Sequence, residues 1–282
     1  MTAATADSTL VSIFRAMTPD EAARTAAATH RAAIEAWLRD DLEIVRMRET
    51  GSWHHGTAII NHSDVDYFVT MSGSKPTNSW DALEQLRASL SKGLSNCFVS
   101  IDRPAVRIVY FDGTPAVEIT PAYFRETDDY DIPDPAGTGW VRSNPAVHLE
   151  YVNEAQRMTD GRAKNLIRLV KTWKAWNHVP LSSFYLEMRV TQYARANHPI
   201  IYPWDLRDFF SGLSSDGLRD MNDPTNYGRR IGTGATGLTE AYAAKYDIDK
   251  AARLSKLAKS AADDDNHATA IRHYLELFNV QE

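Results

Sequence analysis

Two hydrophobic periods divide the chain: short runs alternating every second residue interleave with helical stretches up to about residue 125, and from about residue 145 the spacing is helical. Thr18-Pro19-Asp20-Glu21 combines an N-cap threonine, a proline at the first helical position and a glutamate at the third. It predicts a helix of about five turns over Ala22 to Asp40, with Ala26, Ile34 and Trp37 turned inward. Ahead of it, Leu10 to Phe14 is an apolar patch that suits a short docking helix. Leu42 to Glu49 sets Val45 and Met47 against Arg46 and Arg48 and predicts a first strand, and Asp64 to Thr70 predicts a second. The polar loop Ser72 to Ser79 leads into a helix over Trp80 to Leu94, with Leu83, Leu86 and Leu90 on one face. Val106 to Phe111 and Pro115 to Thr120, joined by Asp112-Gly113, predict a hairpin.

Asp, Pro and Gly crowd residues 126–145 and mark a boundary, giving a first lobe over residues 1–140, braced by the N-terminal helix, and a helical lobe over 141–282. In that second lobe Arg162 to Asn177 carries Leu166, Val170 and Trp173 on one face and Lys164, Arg168 and Lys171 on another. Further helices are expected at Ser182 to Ala196, Trp204 to Leu213, Thr239 to Tyr246, Asp249 to Ala261 and Asp265 to Phe278. The last should bury Ala268, Ile271, Leu275 and Phe278, with Asp263-Asp264-Asp265 capping it.

At 282 residues with 43% hydrophobic and 24% charged positions, the composition is that of an ordinary globular protein large enough for two lobes. A net charge of -6 counts against a general duplex nucleic-acid binder. The single cysteine, Cys97, leaves no internal disulfide or multi-cysteine zinc site and suits a reducing cytosol. With no apolar run near 18 residues and no signal-like N-terminus, the expected location is cytoplasmic, without a membrane partner.

The candidate chemistry sits in Gly51-Ser52, Gly56-Thr57 and Ser63-Asp64-Val65-Asp66. Asp64 and Asp66 leave one face of a strand, and Glu118 offers a third carboxylate from a neighbouring run. Such a set can hold two Mg²⁺ ions roughly 3.5–4 Å apart for phosphoryl transfer. Gly51 lets the backbone approach a phosphate, Ser52 can bind its oxygens, and Thr57 either repeats that pattern or holds the turn. An isolated Asp-x-Asp is common; the whole string is what singles out a catalytic site.

This string resembles the nucleotidyltransferases of the DNA polymerase β superfamily. Val117-Glu118-Ile119-Thr120-Pro121-Ala122, Tyr130-Asp131-Ile132-Pro133-Asp134, Gly139-Trp140, Asn144-Pro145, Leu166 to Trp173 and Leu181 to Glu187 resemble, within it, the bacterial cGAS/DncV-like nucleotidyltransferases (CD-NTases). The likeness covers roughly residues 40–230. It implies an α+β architecture: a polymerase-β-like mixed-sheet lobe, an oligoadenylate-synthase-like helical lobe and a nucleotide cleft between them. Asp64, Asp66 and Glu118 would hold Mg²⁺, and Lys171 and Ser183 would contact the donor triphosphate. Glu118 departs from the aspartate of many relatives. The implied activity is synthesis of a cyclic di- or oligonucleotide messenger from nucleoside triphosphates (ATP, GTP, CTP or UTP), in bacterial antiphage signalling (CBASS). A downstream effector would recognise the product, and the scheme admits a regulatory partner protein. Two rivals share the fold: a nucleotidyltransferase with an RNA, protein or small-molecule acceptor, and an inactive nucleotide sensor.

The remaining signals have plainer readings. His54, His55 and His62 read as exposed loop histidines, and Trp173, Trp176, Tyr185, Tyr123 and Tyr227 as core unless one stacks on a base. Gly232-Thr233-Gly234-Ala235-Thr236-Gly237 follows no clear strand and reads as a flexible loop.

Overall fold

The computed structural model describes residues 5–280. They form two compact units: residues 19–149, and the residues up to Thr18 together with those from Glu150 onward. The first helix, α1 (Ala6–Ala16), thus belongs with the helical unit, and Leu10, Ile13 and Phe14 lie in that unit's core. The patch forms the expected helix, but its partners are helices outside the first lobe to which the sequence pattern assigns it.

The unit of residues 19–149 opens with α2 (Glu21–Asp41). Its N-cap is Asp20, whose carboxylate accepts from the Ala23 N–H at 2.8 Å, while Thr18 turns its hydroxyl back to the Phe14 carbonyl. The capping box expected at Thr18 is therefore replaced by a single acidic cap two residues on. Next come β1 (Arg46–Thr50), the one-turn helix α3 (Gly51–His55), β2 (Val65–Thr70) and α4 (Ser79–Gly93). β3 (Cys97–Asp102), β4 (Ala105–Tyr110), β5 (Val117–Glu126), β6 (Asp129–Pro133) and β7 (Trp140–Ser143) complete it. The strands make one mixed sheet in the order β1-β2-β5-β4-β3, with β6 added along β5 and β7 along β6. β2 and β5 run parallel, and the other pairs antiparallel.

One face of the sheet is covered by α2 and α4. Val65, Tyr67, Val69, Val106, Ile108, Val117 and Ile119 pack there with Ile34, Leu38, Leu83, Leu86 and Leu90. Because side chains alternate along each strand, this burial turns Asp66 and Glu118 to the opposite face. There Phe68, Ala122, Tyr130 and Ile132 form a small second cluster. Val45 falls outside β1 and is 61% exposed, so only Met47 of the expected inward pair is buried. The predicted hairpin is present as β4 and β5, its turn braced by Asp112 accepting from the Thr114 N–H and hydroxyl. The stretch predicted to be a boundary is instead β6 and β7, and the division falls later, inside α5 (Pro145–Met158).

The helical unit continues with α6 (Ala163–Trp176), α7 (Ser183–Ala196) and α8 (Tyr202–Ser215). A small hairpin, β8 (Met221–Asn222) with β9 (Arg230–Ile231), precedes α9 (Leu238–Asp263) and α10 (His267–Leu277). α9 is one continuous helix where the pattern predicts two. α10 is capped by Asn266 rather than an aspartate; it buries Ala270, Tyr274 and Leu277, followed by Phe278, and leaves Ala268 exposed. Among the described residues no helix is long and apolar enough to cross a membrane.

Candidate active site

The parallel pairing of β2 and β5 sets Glu118 opposite Asp66. On the outer side of β5, Arg107 of β4 stands opposite Glu118; on the outer side of β2, Thr50 of β1 stands opposite Asp66. One row across four strands therefore reads Thr50, Asp66, Glu118, Arg107, with neighbouring strands about 4.8 Å apart. Asp64 lies just before β2 on the same face as Asp66, so the three predicted acids do come together.

Gly51 is fitted to this row. Its φ is +60°, and a Cβ built on it would lie 2.0 Å from Oδ2 of Asp66. The glycine is needed for the backbone angle and for the close approach of that carboxylate. The predicted turn is the helical turn α3, closed by Thr57, which is buried and directs its N–H (2.8 Å) and hydroxyl (3.4 Å) to the Ser52 carbonyl. Of the two roles open to Thr57, holding the turn is the one these bonds perform. Ser52 is half-buried beside Gly51. His55 is buried and His54 half-buried, contrary to the exposed-loop reading, because the helical turn folds them back; His62 is exposed as expected.

Arg107 bridges the acids. Its Nε and a terminal nitrogen donate to the two Asp64 oxygens at 3.0 and 3.2 Å, and its Nε lies 3.8 Å from Oε1 of Glu118. Burial, the Asp66 and Asp64 charges and a hydrogen bond with Asp64 push the Glu118 carboxyl up to about 8. As the side chains stand, no group of three or more His, Cys, Asp or Glu among the described residues is disposed around a metal position. The fit to a divalent cation rests on donor chemistry. The donors are all oxygen, which suits Mg²⁺, and their crowded negative charge, evident in the raised Glu118 carboxyl, is what a cation would relieve.

The helical unit holds the other predicted residues. Leu166, Val170 and Trp173 are buried as expected, but the basic face is not solvated: Arg168 and Lys171 are buried too. Lys171 pairs with Glu187 of α7 at 3.3 Å. Ser183, the first residue of α7, accepts a hydrogen bond from Lys174 at 3.2 Å. Burial, and then the charge of Lys171, hold the Lys174 ammonium below its usual range. Trp173, Tyr185 and Tyr123 lie in the cores.

The sequence pattern misses Arg107 and Lys174. Arg107 had a signal, since a charge at an alternate position of Val106 to Phe111 must face away from the core, and the hairpin register sets it beside Glu118. Lys174 lies one turn beyond Lys171 and offered none, because its partner Ser183 follows after a loop.

The fold matches that of a CdnC from E. coli MS115-1 determined with ATP, with a TM-score of 0.76 at 21% identity, covering 96% of this chain and 97% of that one. It also matches the CdnC of a CdnC:HORMA-deltaN complex from the same source, with a TM-score of 0.69 at 20% identity, covering 98% of each chain. The fold is thus polymerase-β-like, that of these CdnC structures. Residues 5–155, over half of the chain, match the family described as the Second Messenger Oligonucleotide or Dinucleotide Synthetase domain. The chain belongs to that family. A curated relative, the cyclic AMP-AMP-AMP synthase of E. coli (strain MS 115-1), is 24% identical over an alignment of 201 residues that covers 66% of this chain and only 63% of that protein.

Proposed function

We propose that the protein is a nucleotidyltransferase that joins nucleoside triphosphates into a cyclic di- or oligonucleotide messenger, with release of pyrophosphate. The observation that carries this reading is the register of Asp66 against Glu118, with Asp64 on the same face and Gly51 giving way to the Asp66 carboxylate. Family membership and the name of the curated relative support a cyclic product and make cyclic AMP-AMP-AMP the first one to seek.

Asp64, Asp66 and Glu118 are assigned to hold two Mg²⁺ ions, which when bound would neutralise triphosphate charge and activate the attacking hydroxyl. To hold the cations, Glu118 would give up the proton that burial and the neighbouring acids favour, and Arg107 would release the Asp64 carboxylate it now binds. Gly51 lies against the Asp66 carboxylate; it and the adjoining Ser52 are assigned to phosphate oxygens, and Thr57 keeps their turn closed. Ser183 and Lys174 are assigned to the triphosphate, with Lys171 adding its charge nearby. Catalysis on this scheme is positioning and charge neutralisation.

The HORMA complex of the CdnC relative supports a regulatory partner protein here as well, and the family supports a downstream effector in antiphage signalling in the cytoplasm. The test is incubation with all four nucleoside triphosphates and Mg²⁺, alone and with a candidate partner, followed by phosphatase treatment and mass analysis. A phosphatase-resistant cyclic product is expected, lost in Asp66→Asn. Turnover by Asp66→Asn at the parent rate would overturn the assignment of the acids, and a product requiring an added acceptor would overturn the cyclase reading.

A further inference from the structure

The motif Gly232-Thr233-Gly234-Ala235-Thr236-Gly237 has a structural role that its composition conceals. It lies between β9 and α9 and is tied to the start of α7. The carbonyl of Thr233 accepts the N–H of Ser182 at 2.6 Å. Ser182 is the N-cap of α7, its hydroxyl accepting from the Tyr185 N–H at 3.3 Å, so its own N–H would otherwise point away from any partner in the helix. Gly234 makes that approach possible. A Cβ on it would lie 2.9 Å from the Ser182 Cβ and 3.0 Å from the Ser182 nitrogen, and its φ is +86°. The second of those atoms is backbone and cannot swing aside.

The far end of the segment is fastened as well, since the N–H and hydroxyl of Thr236 both donate to Glu240 in the first turn of α9, at 2.7 and 2.8 Å. The stretch is a strap, anchored at α9 and pressed onto the residue preceding Ser183. Ser183 in turn is held from α6 by Lys174. The backbone that carries the Ser183 hydroxyl is thus fixed on one side by Thr233 and on the other by α6.

We propose that Gly234, through the Thr233 carbonyl, is a positioning residue for Ser183 in nucleotide binding. The inference rests on the assignment of Ser183 to the triphosphate. To bring an added Cβ from 2.9 Å to ordinary contact, the start of α7 or the strap must move by about 0.5 Å or more, a displacement on the scale that matters for binding geometry.

The experiment measures pyrophosphate release over a range of an equimolar mixture of the four nucleoside triphosphates with Mg²⁺, on the full chain. Gly234→Ala is expected to raise KM about tenfold with kcat within twofold of the parent. Gly237→Ala, in the same motif with open space around it, is expected to be silent. In a Ser183→Ala background the KM increment from Gly234→Ala should vanish, a result that general loosening of the fold would not give. Glu240→Ala, an exposed-end release that introduces no clash, should give a smaller rise of about threefold that vanishes in the same background, and it carries the test if Gly234→Ala does not fold. If Ser183→Ala raises KM but the strap variants are silent, or their effects multiply with it, the positioning role is overturned while the Ser183 assignment stands. If Ser183→Ala leaves KM unchanged, the assignment falls and the inference with it.

Discussion

Lys171 and Glu187 form an ion pair at 3.3 Å with each side chain only 3% exposed, and breaking it is the sharpest test of how the helical unit is held. At an effective dielectric of about 20, opposite unit charges at that distance attract by about 5 kcal/mol. Desolvation of the two groups offsets much of this, so the intact pair adds little over well-packed apolar residues. Removing one member is different, because the other charge stays buried and loses one of its charged neighbours. Lys171→Met is therefore expected to lower stability by about 3–5 kcal/mol, and Glu187→Leu by a similar amount. The double variant removes both charges and should return to within about 1 kcal/mol of the parent, a coupling of about 5 kcal/mol or more. Urea denaturation followed by tryptophan fluorescence suits the test, because Trp173 shares that core. A loss below about 1 kcal/mol for Lys171→Met refutes the buried-charge reasoning. The double variant also separates fold from function: if Lys171 lends its charge to the triphosphate, the variant is stable but slow, and if it is stable at full turnover, that role falls to Lys174 alone.

Three further outcomes follow from the row of acids. The Glu118 carboxyl, ordinarily near 4.5, is raised to about 8, so the folded chain keeps a proton the unfolded chain has lost, and stability falls as pH rises from about 4.5 through about 8. With 27% of the side chain still exposed, Glu118→Gln should relieve a penalty on the order of 2 kcal/mol at pH 8.5 in chelator and little at pH 5, while abolishing turnover; equal urea midpoint shifts at the two pH values would contradict this. Gly51→Ala should cut turnover by about a hundredfold by displacing the Asp66 carboxylate, whereas Gly113→Ala, also at positive φ but with open space around it, should keep full turnover. Arg107→Gln removes the guanidinium from Asp64 and should tighten Mn²⁺ binding about tenfold by titration calorimetry, a gain of about 1.4 kcal/mol; unchanged affinity would show that Arg107 does not oppose the cations.

The acids were legible because period-two alternation alone places Asp64 and Asp66 on the face away from Val65, and Asp112-Gly113 marks the hairpin that delivers Glu118. α4, α6 and α7 were legible from leucine spacing and capping residues. β3 was missed because it is an edge strand, half-buried along most of its length and showing no clean alternation. β6 was missed for a different reason: Asp129 and Asp131 read as loop residues, yet both are buried and paired with Arg142, Arg125 and Lys75, contacts that only the folded sheet supplies. α10 offers two apolar stripes, and periodicity cannot choose between Ala268, Ile271, Leu275 and the observed Ala270, Tyr274, Leu277. The role of Gly234 depends on Ser182, far away in sequence, and no local pattern encodes it.

The parallel pairing of β2 with β5 also sets an order of events during synthesis. Asp64 and Asp66 emerge early, on a strand that can pair with β1 at once through a short connection. Glu118 arrives only after α4, β3 and β4, and β5 must then enter between β2 and β4, two strands already made. The last of these strands to be synthesised is the central one, so the non-local β2–β5 pairing is expected to be among the slower steps of folding. A nascent chain that ends before β5 carries two aspartates and no complete acidic site. On the proposed assignment of the acids, cation binding would mark a finished sheet, and a half-made chain would have no means of consuming nucleotide.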